Sequence, residues 1–68
     1  MPSSAIRSYS YDAAEHRLDI TFVSGERYSY FAVPQAIAAG LRRALSKGRY
    51  FQRHIRDRFD YRRDRRGG

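Results

Sequence analysis

The stretch Arg17-Leu18-Asp19-Ile20-Thr21-Phe22-Val23-Ser24-Gly25-Glu26-Arg27-Tyr28-Ser29-Tyr30 decides the fold of this 68-residue chain. Apolar residues recur at every second position, Leu18, Ile20 and Phe22 before the Ser24-Gly25 pair and Tyr28 and Tyr30 after it. That is the rhythm of strands with one buried face, and Ser24-Gly25 is a turn pair of the kind that joins antiparallel neighbours. The length of the turn then fixes which side chains share a face. A three-residue loop, Val23-Ser24-Gly25 with Gly25 in left-handed backbone, sets Phe22 across from Glu26, Ile20 across from Tyr28 and Leu18 across from Tyr30. A two-residue loop would bring Phe31 to that face and turn both tyrosines away. The longer loop is favoured because it gathers Leu18, Ile20, Phe22, Tyr28 and Tyr30 on one apolar surface.

Working outward, residues 6–11 alternate in the same way and connect through the short polar segment Asp12-Ala13-Ala14-Glu15-His16. With 17–23 and 27–33 they make an expected three-stranded antiparallel meander. Pro34 suits the start of a helix, where its missing N–H costs nothing. At about 100° per residue, Ile37, Leu41, Ala44 and Leu45 then fall on one amphipathic stripe. Gly40 weakens this helix by about 1 kcal/mol relative to alanine and marks close packing. Ser46-Lys47-Gly48 reads as a break, with Gly48 supplying the backbone freedom of a helix terminus. A second helix is expected from 49 to 58 or 59, lining up Phe51, Ile55 and Phe59. Residues 60–68, with four arginines and two glycines, are expected to fray. The prediction is an α+β fold of three strands followed by two helices (βββαα), a domain over 1–61 and a flexible basic tail over 62–68.

So short a chain makes one small domain, and without cysteine and with only two histidines it has neither disulfides nor a metal-ligand set to hold it. Its net charge is +7 and its isoelectric point about 10.6, which directs attention to polyanions. The excess is regional. Residues 1–41 hold three arginines against four acids, a net −1, whereas 42–68 hold ten arginines and one lysine against three aspartates, a net +8. No stretch approaches the ~20 apolar residues of a membrane span and the first residues lack a signal-peptide run, so the expected setting is cytoplasmic.

The order and spacing of Ser4 and Ile6, Tyr11-Asp12, Leu18 through Phe22, Gly25, Tyr28-Ser29-Tyr30, Val33-Pro34, Ser46-x-Gly48, Tyr50-Phe51, Ile55-Arg56 and Tyr61 resemble the KTSC domain. This module of about sixty residues is named for its place at the C-terminus of some lysyl-tRNA synthetases. The resemblance implies no settled activity; RNA binding has been suggested for the family. The arginine-dense end departs from the usual pattern, and the 68 residues contain no synthetase domain.

On a continuous second helix Arg49, Arg53 and Arg56 would project within an arc of about 60°, away from the Phe51, Ile55 and Phe59 stripe. Such a ridge can track a phosphate backbone, because the guanidinium fork donates paired hydrogen bonds and keeps its charge. Lys47, just ahead of the helix, can add an ammonium beside free backbone N–H groups, although an ordinary helix–helix turn is the favoured reading of Ser46-Lys47-Gly48. Tyr50 and Tyr61 are the candidates for stacking on bases, and Arg62, Arg63 and the remaining tail arginines for phosphate contacts. Tyr28 and Tyr30 either stack on bases or complete the core, and the scarcity of large aliphatic residues favours the core. His16 and His54 lack a nucleophile or carboxylate placed to make a catalytic set, so no enzyme, metal or cofactor is expected. The terminal Arg65-Arg66-Gly67-Gly68 matches a ubiquitin-like or RGG-type ending too thinly to carry an assignment. The expected partner is nucleic acid, RNA rather than DNA, with an acidic protein as the alternative.

Overall fold

The computed structural model describes residues 5–64. Four antiparallel strands, β1 (Ile6–Asp12), β2 (Arg17–Phe22), β3 (Arg27–Tyr30) and β4 (Tyr61–Asp64), lie side by side in chain order. Between β3 and β4 the chain forms α1 (Gln35–Arg43) and α2 (Lys47–Tyr50), and α2 runs directly into a π-helical turn over Phe51–Ile55. The helical layer packs on one face of the sheet, where Leu18, Ile20, Phe22, Tyr30, Val33, Leu41, Phe51 and Ile55 form the core.

The β2–β3 hairpin has the three-residue loop. Leu18 pairs with Tyr30 and Ile20 with Tyr28, Phe22 N–H donates to Glu26 O at 2.9 Å, and Gly25 stands at φ +99°. In the first hairpin the Asp12 carboxylate accepts from the N–H groups of Ala14 and Glu15, so Asp12 ends the strand and shapes the turn. Along β1 the register shifts between Ile6 and Ser8, as at a β-bulge with Arg7 the extra residue. The shift changes the parity of the strand, so that Ile6, Tyr9 and Tyr11 all pack toward the core. Tyr11 O–H then donates to Val33 O at 2.6 Å.

Past Tyr30 the structure departs from several expectations. The third strand stops at Tyr30, short of 33, because Ala32 turns to φ +58°. Helix α1 ends at Arg43, and Ala44 is extended (ψ 138°), so the apolar stripe does not continue: Leu45 is fully exposed. Gly48 sits inside α2 rather than ending a helix, and the break is carried by Ala44 to Ser46. The second helical segment closes at Ile55, where Arg56 N–H donates back to Phe51 O and Asp57 adopts φ +60°. Phe59 is therefore off the helix, although it still packs against the core.

The expected fraying from residue 60 is overturned over 60–64. Phe31 N–H donates to Asp60 O at 2.9 Å, and β4 then pairs with β3 from Tyr30–Tyr61 to Arg27–Asp64. A partly apolar β3 edge supplied the unpaired backbone groups, and the Tyr61 ring found Tyr28 and Tyr30 to pack on. The tail predicted from 62 thus enters the sheet over its first three residues, making the fold a four-stranded sheet with two helices. Residues 65–68, including Arg65 and Arg66, lie outside the described residues, as does Ser4.

Candidate nucleic-acid interface

Because side chains alternate along a strand, β3 sends Tyr28 and Tyr30 to the helix side, and the β3–β4 register puts Tyr61 beside Tyr30 and Arg63 beside Tyr28. The helical layer covers Tyr30 but leaves this corner of the sheet open. The result is a cleft of about 470 Å³ with Tyr28, Tyr30, Phe51 and Tyr61 among its walls and Arg56, Asp57 and Glu26 on its rim. The rings form one contiguous cluster. Tyr61 lies 5.6 Å from both Tyr28 and Tyr30, tilted by 42° and 33°, and Tyr30 meets Phe51 edge-on at 5.6 Å. Tyr30 is buried, whereas the Tyr61 ring at the mouth is 56% exposed. Burial, and after it the neighbouring Tyr28 and Tyr61, push the Tyr30 hydroxyl well above the ordinary tyrosine range, against an opposite pull from Arg56.

The charges on the rim are partly matched. Arg63 Nη2 donates to Glu26 Oε2 at 2.6 Å, which ties β4 to the β2–β3 turn. Arg56 Nη1 donates to Gln52 Oε1 at 3.3 Å, and its Nε lies 3.9 Å from Asp57. Arg53, Arg56 and Arg58 border a shallow depression beside the cleft with Gln52 and Asp57, and all three arginines are exposed. Arg53 has no carboxylate partner among the described residues.

Of the residues singled out from sequence, Arg56 and Tyr61 meet at this cleft, Arg53 is next to them, and Arg63 reaches its rim through Glu26. The ridge of Arg49, Arg53 and Arg56 does not form as drawn, since Arg56 lies beyond the helix and turns toward the rings. Arg49 is exposed on α2, its N–H capped by Ser46 Oγ at 3.3 Å. The Lys47 ammonium donates to Arg42 O and Ala44 O at 3.4 and 3.3 Å, capping the end of α1. Tyr50 packs over Gly40, donates to Ile37 O at 3.0 Å and meets the His54 ring at 4.4 Å. Both Lys47 and Tyr50 therefore join the helices to each other. Arg62 projects to the opposite face of the sheet, where Arg17 and Arg27 stand near it. Arg17 and Arg27 lie outside the C-terminal charge excess, in the half of the chain with a net charge of −1. Their parity opposite Leu18 and Tyr28 was the available signal.

Among the described residues no group of three His, Cys, Asp or Glu could hold a metal ion, and no helix is long and apolar enough to cross a membrane.

Fold and cleft together define a small α+β module: an antiparallel sheet, half covered by helices, with an aromatic corner edged by arginine. The chain belongs to the KTSC domain family, whose family model matches residues 2–59. It is 40% identical over 58 residues to a lysine–tRNA ligase of Trichormus variabilis, covering 85% of this chain but only 10% of the ligase. An uncharacterized protein of Stutzerimonas stutzeri is 41% identical over 51 residues, which is 75% of this chain and 72% of that protein. The crystal structure of a KTSC domain protein from Yersinia pestis superposes with a TM-score of 0.86 at 34% identity, covering 94% of this chain and 90% of the other. Since the chain spans a tenth of the ligase it matches, that likeness brings no aminoacylation activity with it.

Proposed function

We propose that the protein binds single-stranded nucleic acid, RNA rather than DNA, with a base stacked on Tyr61 at the cleft and adjacent phosphates held by Arg56, Arg53 and Arg58. One observation carries this reading: a tyrosine ring 56% exposed on a bed of two further tyrosines, with a guanidinium on the same rim. A ring held by its neighbours loses little freedom when a base stacks on it, and arginine supplies the phosphate contact that stacking lacks. The choice of RNA is supported by relatives that lie within lysine–tRNA ligases, enzymes whose name ties them to tRNA. Recognition of this kind depends on stacking and charge and is tolerant of sequence.

Fluorescence anisotropy with a labelled oligouridylate at several salt concentrations tests the proposal. The logarithm of affinity should fall by about 0.7 per contacted phosphate for each logarithmic unit of salt. Tyr61→Ala should weaken binding about 5- to 150-fold, as expected for a stack worth about 1–3 kcal/mol, and leave the salt slope in place. Arg56→Gln should lower the slope. Absence of binding at low salt, or full affinity in Tyr61→Ala, rejects the reading. A nuclease-resistant complex with an acidic protein, formed by a chain that binds no oligonucleotide, would put the alternative in its place.

A further inference from the structure

The face of the sheet turned away from the helices carries a depression of about 520 Å³ lined by Arg17, Asp19, Arg27, Ser29, Phe31 and Arg62, among others. Its carboxylate is already occupied: Asp19 accepts from Ser29 Oγ at 2.7 Å and pairs with Arg17 Nε at 3.3 Å. Arg17 also reaches Asp12 at 3.8 Å, so its charge is largely answered within the chain. Arg27 and Arg62 are both exposed, and neither takes part in an ion pair among the side chains of residues 5–63. Arg62 pairs with Ser29, two residues along β3 from Arg27, so the two arginines are diagonal neighbours. Such positions lie about 7–8 Å apart. Two guanidinium forks at that spacing can close on one phosphate group from either side.

The position of β4 connects this patch to the cleft. It is an edge strand, with β3 on one side and no strand on the other among the described residues. Tyr61 projects to the cleft and Arg62 to the open face, so the two surfaces lie on opposite faces of this one edge strand.

We propose that the open face is a second phosphate-binding surface for the same strand, which crosses the β4 edge so that a base enters the cleft and downstream phosphates reach Arg27 and Arg62. This rests on the reading of the cleft given above. Charge complementarity selects the occupant: Arg17, Arg27 and Arg62 line the depression around a carboxylate, Asp19, that is already hydrogen-bonded, and the cleft places a phosphate chain on the other face of the same edge strand.

The test compares a labelled oligouridylate of about 4 nucleotides, long enough for the cleft alone, with one of about 12, both within the range that single-strand-binding domains contact. In Arg27→Gln/Arg62→Gln the 12-mer should lose about 0.7 of salt slope for each phosphate contact removed, and the 4-mer should bind as it does to the unaltered protein. Arg27→Lys/Arg62→Lys keeps the charge and should restore the slope. An unchanged 12-mer slope in the glutamine variant overturns the second surface while Tyr61-dependent 4-mer binding upholds the cleft. Failure of the unaltered protein to bind either oligonucleotide overturns both.

Discussion

On the helix side of the sheet Leu18, Ile20, Phe22 and Tyr30 are buried, while the open side presents Arg17, Asp19, Arg27, Ser29 and Arg62 from the same strands. Only the parity of each residue separates the two. The covered face has to hold a small domain together, and its aromatic corner grades from buried Tyr30 to half-exposed Tyr61 without a boundary between core and cleft. A change there alters folding and binding at once. Arg27 and Arg62 on the open face are exposed and lie outside the core, so these two can be exchanged for their charge alone. Binding measurements are cleanest on the face that contributes least to stability.

The strongest challenge to that division is Ile20→Ala. Ile20 is fully buried and pairs with Tyr9 on one side and Tyr28 on the other. Truncating it should cost about 2–5 kcal/mol, a large share of the roughly 3–10 kcal/mol typical for a domain of this length. Urea unfolding followed by circular dichroism measures it; a loss below about 1 kcal/mol would mean that this face is not a packed core.

Next in size is a pH effect that belongs to the covered face. The Tyr30 hydroxyl resists ionisation in the folded protein, whereas in the unfolded chain it titrates near pH 10. Below that pH both states hold the proton and its contribution to stability is complete. Above it the unfolded state releases the proton first, so stability should fall by about 1.4 kcal/mol per pH unit until the folded state also ionises. Tyr30→Phe should remove that part of the slope. Equal alkaline slopes in the two proteins would contradict a buried, desolvated phenol.

These two residues also mark how far the fold could be read beforehand. The β2–β3 register followed from Ser24-Gly25 and strict alternation, and with it the partners of Ile20 and Tyr30. Beyond Tyr30 the controlling features were not periodic. Backbone at positive φ on Ala32 and Asp57, neither of them glycine, ends β3 and turns the chain out of the helical layer. Alanine at 32 gives no sign of it, and aspartate at 57, a residue that tolerates left-handed backbone, gives only a weak one. A π-helical turn over Phe51–Ile55 keeps both apolar ends buried but removes Arg56 from the helix that the four-residue spacing implied. Strand β4 is four residues long with two arginines, and its stability comes from an edge and a tyrosine pair that only the folded sheet provides. The cleft was therefore legible as single residues, Tyr61 and Arg56 among them, but its assembly was not.

A smaller effect is expected in the helical cover. A Cβ built on Gly40 would lie 2.6 Å from Tyr50 Cζ, so alanine must displace the ring and loosen its hydrogen bond to Ile37 O. Overpacking of this kind costs about 1–3 kcal/mol, against about 1 kcal/mol that alanine gains over glycine in a helix. The net expectation is a loss of about 1 kcal/mol. In a Tyr50→Ala background the same change should instead stabilise, and a double-mutant cycle reads the difference. If Gly40→Ala stabilises both proteins, the close approach of the two helices is not what selects glycine.

The smallest effect is the one that decides whether the faces are independent. Arg27→Gln/Arg62→Gln removes two exposed guanidinium groups that make no ion pair among the side chains of residues 5–63, and surface changes of this kind alter stability by no more than about 0.5 kcal/mol each way. Relief of repulsion between the diagonal arginines is set against the loss of a positive charge at the position opposite Asp64, and the two effects are of similar size. The unfolding midpoint in urea should therefore stay within error of the unaltered protein, with the slope against denaturant unchanged. A loss above 1 kcal/mol would show that the two arginines hold β4 on the sheet, and any weakening of nucleic-acid binding in that variant would then reflect the cleft losing its Tyr61 wall.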